Sequence, residues 1–246
     1  MLDLTLSFRD KHTKIQQLHY AVEHTTFGNL LLAGNAESLV FIGFEQDNLP
    51  LLLNRIKQTW LSEYVIEDCS QYKGMAERIL TRNGKFNLLL KAEGFFSQVL
   101  IGLSSVSYPI SYKSLAEKIG RNKAVRASGT AVGKNPISLL LPCHRIITSS
   151  GQIGQYAYGS DIKKALLDFE KANNLFSAPQ SVSIIRQSQS TISQKEPVDC
   201  KKQEDISGFD RTLSGIKEFQ IKTYNKITAW GRCNSKQAVY CLGFCG

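Results

Sequence analysis

Residues 139–151 read LLLPCHRIITSSG, an apolar run that ends in a proline and is followed by a cysteine, a histidine and an arginine. The chain has four histidines, and only His144 stands beside a cysteine. Neighbouring residues of a strand point to opposite faces, so Cys143 and His144 can act together only where the predicted strand breaks into a loop. Pro142 favours such a break. The stretch therefore predicts a buried strand that delivers a thiol and an imidazole to a loop.

A thiol becomes a nucleophile when a neighbouring base removes its proton. His144 is a candidate base, either directly or through a water, and a carboxylate is expected to orient its ring. Glu170, at the end of the last predicted helix, is the candidate carboxylate. The alternative is that Cys143 is a small buried hydrophobic residue, which is the usual state of an isolated cysteine. These residues alone leave both interpretations open.

The composition fits one large globular domain or two modest ones, with 42% hydrophobic and 21% charged residues in 246. No apolar run is long enough to cross a bilayer, and the N-terminal residues lack the apolar core of a signal peptide. We therefore expect an intracellular, soluble protein, cytoplasmic or, in a eukaryote, nuclear. The six cysteines show no CxxC spacing and are expected to be mostly free thiols, and the last three fit no metal-binding pattern.

The positive charge is concentrated in the stretch that contains the cysteine-histidine pair. Residues 80–165 hold twelve Lys or Arg against three Asp or Glu, whereas residues 1–79 hold seven against ten. A polyanion such as nucleic acid is the natural partner of a basic surface, because binding releases counterions from the phosphates. A basic face that is only solvated explains the charge equally well.

The pattern along the chain predicts an α/β unit and then a run of helices. Three alternating strands and a helix are predicted over residues 18–66, and a second helix over residues 72–80. From residue 95 the apolar residues recur at helical spacing, in FFSQVLIGL and in SYKSLAEKIG. A last amphipathic helix is predicted over SDIKKALLDFEKA, and residues 177–194, with eleven Ser, Thr or Gln, are typical of a linker.

The segment SYKSLAEKIGRNKAVRASGTAV has the pattern of a helix-turn-helix. A turn of Gly120, Arg121 and Asn122 separates the two helices, and Asn122 is placed to cap the second. In the second helix Ala124, Ala127 and Ala131 share a face on which small side chains would let the backbone approach a groove, and Arg126 stands at its edge. An ordinary pair of packed helices is the alternative, and the local charge favours DNA.

NPISLLLPCHRIITSSGQIGQYAYG resembles the active-site segment of the methylated-DNA–protein-cysteine methyltransferases, the O6-alkylguanine-DNA alkyltransferase family. The PCHR tetrapeptide with an upstream Asn-Pro carries the resemblance, and the helix-turn-helix extends it. The match continues to the glutamate of LLDFE, and weaker similarity begins near residue 19. The residues before 18 and the tail have no counterpart.

The resemblance implies DNA repair in which one alkyl group passes irreversibly from guanine O6 to Cys143 after the base is flipped out of the duplex, and thymine O4 is a second candidate position. His144 would take the thiol proton through a water, and Glu170 would polarise the imidazole. Asn135 would brace the active-site turn, and Tyr112 would contact the flipped nucleotide and donate a proton to the departing guanine. The product is a thioether that water does not cleave, so each molecule would act once, and the reaction calls for no metal or organic cofactor.

The resemblance also implies a DNA surface and a base pocket. Arg126 would fill the place of the extruded base, and the helix of Ala124 and Ala127 would enter the minor groove of double-stranded DNA. Tyr156 would form a wall of the guanine pocket, and the carbonyl of Ile146, with that of Cys143, would read the exocyclic amine. No membrane is involved, and a monomer is expected.

The fold implied by the resemblance is an α/β N-terminal domain followed by a mostly α domain. The first, over residues 1–90, would be a small ribonuclease H-like sheet with helices. The second, over residues 91–174, would be the alkyl-acceptor, DNA-binding domain, with a winged-helix-like helix-turn-helix. Residues 175–246 would be a low-complexity linker and a tail of unknown structure.

The sequence departs from the family pattern at three places. Leu100 replaces an aromatic residue, and Ala157 stands where many members carry Ser or Arg, so that only its backbone N–H remains for a contact. The turn before Tyr112 is shorter by about two residues, which would displace that side chain.

Two other functions are open to the same residues. A non-catalytic DNA-damage-binding or regulatory module would use the same helix-turn-helix, but it would not need Cys143 beside His144. A cysteine hydrolase would need an oxyanion hole and a histidine from elsewhere in the chain, whereas here the histidine follows directly. Turnover distinguishes the hydrolase from the alkyl acceptor.

Overall fold

The computed structural model describes residues 1–46, 48–177 and 180–186, which contain nine strands and seven helices. The strands are β1 (Leu2–Arg9), β2 (Gln17–Thr25), β3 (Gly28–Gly34), β4 (Leu39–Phe44), β5 (Tyr64–Glu67), β6 (Gly84–Lys91), β7 (Ile110–Ser111), β8 (Ile146–Ile147) and β9 (Gln180–Arg186). The helices are α1 (Leu49–Trp60), α2 (Cys69–Tyr72), α3 (Met75–Leu80), α4 (Gly94–Ser104), α5 (Tyr112–Lys118), α6 (Val125–Gly133) and α7 (Ser160–Ala172). In this part of the chain no helix is both long enough and apolar enough to span a membrane.

Seven strands form one mixed sheet in the order β5-β2-β3-β4-β6-β1-β9. Strands β2, β3 and β4 are antiparallel neighbours, whereas β1 runs parallel to both β6 and β9. The three strands and the helix predicted over residues 18–66 are confirmed as β2, β3, β4 and α1. The helix predicted over residues 72–80 is confirmed as α3 from residue 75, but Gly74, at a φ of 71°, separates it from α2, which ends at Tyr72.

The sheet is buried on both faces. On one face Leu31 packs with Ile56 and Trp60 of α1 in a small apolar cluster. On the other face Leu30 and Leu32 join a larger cluster that continues into the helices from α4 onward. That cluster contains residues from both sides of the expected boundary at residue 90, and the described residues belong to one compact unit.

Strand β1 was not expected from the sequence. Leu2, Leu4, Leu6 and Phe8 point into the core and alternate with more exposed positions. The signal was present in LDLTLSFR, whose apolar residues have the two-residue period of a half-buried strand. The N-terminal segment is therefore an inner strand of the sheet.

The linker predicted over residues 177–194 is wrong for residues 180–186, which form β9 along the edge of β1. Backbone hydrogen bonds make this pairing, so a segment rich in Ser and Gln can form it when a neighbouring strand is available. Val182 packs against the large core, whereas Ile184 and Ile185 are exposed. The remaining residues of the linker and the tail lie outside the described residues, as do the four cysteines after residue 199.

The helix-turn-helix is present as α5 and α6, but its connection runs from residue 119 to residue 124 and is longer than the predicted turn. Gly120 adopts a φ of 70° and allows Arg121 N to donate to the Ala116 carbonyl, which ends α5. The prediction that Asn122 caps α6 is wrong, because Ala124 occupies the N-cap position and no side chain caps the helix.

The apolar run at 139–141 is buried, but it is a turn and not the predicted strand. The preceding residues bond to β4: Ile42 N donates to the Pro136 carbonyl at 2.9 Å, and Ser138 N donates to the Ile42 carbonyl at 2.8 Å. Leu139 then adopts a left-handed φ of 69° and reverses the chain toward Cys143. The sheet thus anchors the segment that presents the cysteine.

Candidate active site

Cys143 and His144 lie in a short 3₁₀ turn, Cys143–Arg145, that follows Pro142. Cys143 N donates to the Leu141 carbonyl at 2.7 Å, and Arg145 N donates to the Pro142 carbonyl at 3.0 Å. The two side chains therefore leave a tight turn instead of the opposite faces of a strand. Cys143 is a free cysteine that is only 6% exposed.

Asn135 holds this turn together with one side chain. Its Nδ2 donates to the carbonyl of Leu141 at 2.8 Å, to the carbonyl of Ile137 at 3.2 Å and to Sγ of Cys143 at 3.2 Å. Its Oδ1 accepts from Ile137 N at 3.0 Å. The amide thus fixes the backbone on both sides of the turn and donates directly to the sulfur. Asn135 is the residue that the resemblance implies as the brace of this turn.

His144 lies behind the cysteine, fully buried, with Nε2 3.1 Å from Oε1 of Glu170. Glu170 comes from the last turn of α7, so the helix supplies the carboxylate that orients the ring. Both ring nitrogens are buried without a well-aligned hydrogen bond among the described residues, so Nε2 contacts the carboxylate only at ion-pair distance and Nδ1 has no partner. The ring therefore has one nitrogen held by the carboxylate and one available to receive a proton.

Two buried arginines, which the sequence reasoning did not include, complete this polar cluster. Arg145 binds Glu170 through two hydrogen bonds, from Nε at 2.9 Å and from Nη2 at 2.8 Å, and its Nη1 donates to the Val106 and Ser107 carbonyls. Arg82 is 3% exposed and donates from Nη1 to the Leu139 carbonyl at 3.2 Å. A buried charge needs such partners, because leaving it unpaired would cost several kcal/mol.

These charges determine which groups are ionised at rest. Burial raises the pKa of the Cys143 thiol, although hydrogen bonds from Asn135 and other neighbours oppose the rise. Burial lowers the pKa of His144, with Arg145 and Arg82 acting in the same direction and Glu170 against it. Burial alone would raise the pKa of Glu170, but His144 and Arg145 together lower it to about 2. The resting site therefore holds a thiol, a neutral imidazole and a carboxylate.

A pocket of about 570 Å³ opens in front of the sulfur. Its lining includes Cys143 and five of the other residues singled out in the sequence: Tyr112, Arg126, Asn135, Tyr156 and Ala157. A volume of this size is typical of a small-molecule site and suits a single heterocyclic base. Tyr112 lines the pocket even though the turn before it is short.

Five of the predicted residues do not line the pocket: the buried pair His144 and Glu170, and also Ile146, Ala124 and Ala127. Ile146 is fully buried, and its carbonyl accepts a hydrogen bond from Nζ of Lys163 at 2.6 Å. Ala124 and Ala127 lie at the beginning of α6, where Ala127 is exposed. The expectation that Ala131 shares their exposed face is wrong, because it is buried in the core.

Lys163 is a residue that the sequence reasoning missed. It is fully buried on α7, donates to the carbonyls of Ile146 and Gln155, and lies 6.0 Å from the ring of Tyr112. Burial lowers its pKa to about 8, while Cys143 opposes that shift. Its place in the helical pattern of SDIKKALLDFEKA gave no signal, since a lysine there looks like a solvated position.

The site consists of a buried thiol on a tight turn, with an imidazole, a carboxylate and a base-sized pocket around it and a helix pair beside the pocket. These features define a protein with a reactive cysteine. The family model described as the DNA-binding domain of 6-O-methylguanine DNA methyltransferase matches residues 95–172. A methylated-DNA–protein-cysteine methyltransferase of Methanosarcina acetivorans is 32% identical over 159 residues, which are 62% of this chain and 98% of that protein. An inducible enzyme of the same name from Bacillus subtilis is 28% identical over 58% of this chain and 84% of its own length.

Solved structures agree with the sequence comparison. The crystal structure of the O6-methylguanine methyltransferase of Mycobacterium tuberculosis covers 66% of this chain and 95% of its own, with 27% identity and a TM-score of 0.53. A structure of OGT of that organism in complex with DNA gives 26% identity and a TM-score of 0.50. The chain belongs to the methylated-DNA–protein-cysteine methyltransferase family, and its mixed sheet with helices is the fold of that family.

Proposed function

We propose that this protein repairs DNA by moving an alkyl group from guanine O6 to Sγ of Cys143, once per molecule. The observation that carries the proposal is the position of that sulfur, at the bottom of a base-sized pocket with His144 and Glu170 behind it. A non-catalytic binding module would have no need of this arrangement. The test is methyl uptake by the protein from an oligonucleotide that contains O6-methylguanine.

The reaction requires one exchange of bonds at carbon, removal of the thiol proton and protonation of the departing guanine. As the bond between sulfur and carbon forms, the bond between carbon and guanine O6 breaks, and the thiol proton passes to Nδ1 of His144 through a water. Glu170 stabilises the imidazolium that results, while its ion pair with Arg145 keeps it ionised. The departing guanine takes a proton from the hydroxyl of Tyr112, which is protonated at neutral pH because burial raises its pKa, and the proton held by His144 then returns through solvent to the tyrosinate, so that one proton moves in net from sulfur to guanine.

The protein cannot regenerate its thiol by this route. The product is a thioether, and water does not break its bond between carbon and sulfur under mild conditions because a thiolate is a poor leaving group. We therefore expect stoichiometric action, with a second candidate position at thymine O4 and with no resident cofactor. This stoichiometry distinguishes the proposal from a cysteine hydrolase, which would release many product molecules.

Access to the O6 carbon requires the base to leave the duplex, at a cost of a few kcal/mol. Arg126 is exposed on α6 at the rim of the pocket, where it can enter the base stack and occupy the space that the flipped base leaves. Ala127 and the half-buried Ala124 give α6 a small-residue surface that suits close approach to the minor groove. The basic charge between residues 80 and 165 supplies affinity for the backbone without sequence preference.

We also propose that α5 and α6 belong to a winged-helix-like unit and that the mixed sheet is a ribonuclease H-like unit. The family resemblance supports a monomer. Because the substrate is DNA, we place the protein in the compartment that contains it, the cytoplasm or, in a eukaryote, the nucleus.

Arg126→Ala is expected to slow repair of duplex DNA about tenfold or more, because an inserted side chain offsets unstacking energies of a few kcal/mol. Reaction with free O6-methylguanine base should change by less than about twofold, since no stack has to be opened. Arg121→Ala, which removes another exposed arginine near α6, is the control for loss of charge alone. Equal losses on duplex and free base would contradict the inserted role.

The rate of methyl transfer should depend on pH through His144. Three charged groups face this imidazole: Glu170 from α7, Arg145 from the same turn and Arg82 from the end of α3. Since burial and the two arginines lower the pKa of His144, the neutral base persists below 6.5, the ordinary value for histidine. The single-turnover rate constant should be flat around neutrality and fall about tenfold per pH unit only in acid below that value. A fall centred above 6.5, after correction for DNA affinity at each pH, would contradict this assignment.

A further inference from the structure

We propose that Arg82, held by Gln180 of β9, is a positioning residue for alkyl transfer that acts through the Leu139 carbonyl in the turn leading to Cys143. The proposal rests on the alkyl-transfer function proposed above. Neither Arg82 nor Gln180 lies within residues 95–172, the part of the chain that the family model matches. The strand that supplies Gln180 belongs to the segment whose composition is that of a linker.

Arg82 contacts the turn that leads to Cys143. Its guanidinium is almost fully buried, and Nη1 donates to the Leu139 carbonyl at 3.2 Å. Leu139 has a φ of 69°, in the left-handed region that is strained for a residue with a side chain. A charged donor on the carbonyl of that residue fixes the peptide plane, and therefore the direction in which the chain enters the segment from Leu140 to Cys143.

Gln180 fixes the position of the Arg82 guanidinium. Its Nη2 donates to Oε1 of Gln180, and Nε2 of the same amide donates to the carbonyl of Ser104 at the end of α4. Gln180 is the first residue of β9, which pairs with Leu2 at the start of β1. One amide thus connects the sheet edge, the C-terminal end of α4 and the guanidinium that holds the active-site turn.

The charge of Arg82 also affects the site. Arg82 and Arg145 are both buried near the single carboxylate of Glu170, so the cluster behind the cysteine has more positive than negative charge. Burial, with Arg145 second, lowers the pKa of Arg82 to about 10, which still leaves it charged at neutral pH. This excess positive charge acts on His144 and favours the neutral ring that accepts the thiol proton. Displacing Arg82 would loosen the turn that leads to Cys143 and reduce the positive charge that favours the neutral imidazole.

The closing experiment compares Gln180→Ala with a matched change one residue along the same strand. Ser181 is also half-buried and also ties β9 to β1, through a 2.6 Å hydrogen bond from its hydroxyl to Oδ1 of Asp3. Both variants lose side-chain hydrogen bonds of β9, but only Gln180→Ala removes the partner of Arg82. A third variant, Gln180→Glu, keeps an acceptor for Arg82 and removes the donor to Ser104.

The measurement is single-turnover methyl transfer from a saturating O6-methylguanine duplex, from which both the rate constant and the fraction of reacting protein are obtained. We expect Gln180→Ala to lower the rate constant about tenfold, because small displacements of a reacting group cost factors of this size or more. Ser181→Ala and Gln180→Glu should stay within about threefold of the wild type. DNA affinity should be equal in all four proteins.

Three results would overturn the inference: equal rate constants for Gln180→Ala and Ser181→Ala, a loss in Gln180→Ala confined to the reacting fraction, or a Gln180→Glu protein as slow as Gln180→Ala. The second of these is the signature of a purely structural strand, since fewer molecules would fold while the folded ones react normally. A wild-type protein that takes up no methyl would overturn the proposed function itself. Normal transfer by the wild type with an unaffected Gln180→Ala would overturn only the role of Arg82.

Discussion

Cys143→Ala will take up no methyl group from an O6-methylguanine duplex, while its affinity for that duplex stays within about twofold of the wild type. The loss is complete because the sulfur is the atom that receives the carbon. Binding should be retained because the DNA contacts proposed above lie on α6 and its surroundings. The turn should survive the change, since the Asn135 amide keeps the Leu141 and Ile137 carbonyls as acceptors when Sγ is removed. Radioactive methyl transfer and fluorescence anisotropy measure the two properties.

The matched control for this variant is Cys69→Ser. Cys69 is the other cysteine in the described part of the chain, and it is free and exposed at the start of α2. If thiol reactivity alone decided the outcome, the exposed cysteine would be the better acceptor. Full methyl uptake by Cys69→Ser with none by Cys143→Ala assigns the chemistry to the buried site. Residual uptake by Cys143→Ala would contradict the assignment.

Glu170→Gln should lower both stability and rate. The carboxylate is shared between Nε2 of His144 and two nitrogens of Arg145, and all three groups are buried. A neutral amide leaves the Arg145 charge uncompensated, and breaking a buried pair in this way costs about 3–5 kcal/mol of unfolding free energy. The imidazolium formed during transfer also loses its counter-charge, so the rate constant of the folded fraction should fall about a hundredfold.

The control for Glu170→Gln is Asp168→Asn, which removes an exposed carboxylate from the same helix. Chemical denaturation and single-turnover kinetics, measured on both variants, separate the two effects. The folded-state pKa of Glu170 is lowered to about 2 from an ordinary 4.5, so its stabilising effect is complete above 4.5 and disappears as the pH falls toward 2. The stability difference between wild type and Glu170→Gln should therefore shrink in that range. Two variants with equal stability and equal rate would refute the shared-carboxylate account.

Most of the elements predicted from the sequence were identified by local patterns of apolar residues. The alternation of β2, β3 and β4 and the helical spacing of α1 and α7 identified those elements, and the imidazole of His144 lies 3.1 Å from the carboxylate of Glu170. The same two-residue period is present in β1, where Asp3 and Arg9 occupy the alternate, more exposed positions, and it was missed. Strand β9 could not be read from its composition, since its existence depends on an available edge of β1.

The buried cations show why the rest of the site was not predictable. Arg82, Arg145 and Lys163 are charged residues that would ordinarily be assigned to the surface. Each is buried because a distant segment supplies acceptors, such as the Leu139 carbonyl for Arg82 and the Ile146 carbonyl for Lys163. Such pairings depend on tertiary contacts that no local period of the sequence reports. Burial, and after it two of these cations, lower the pKa of His144 and favour its neutral state.

The most direct test of the central claim is the intact mass of the full-length protein after incubation with excess O6-methylguanine duplex, followed by peptide mapping. We expect the mass to rise by one methyl group, on the peptide that contains Cys143, with one guanine restored per protein molecule. An unchanged mass, a methyl on another residue, or many guanines restored by each unmodified protein would contradict it.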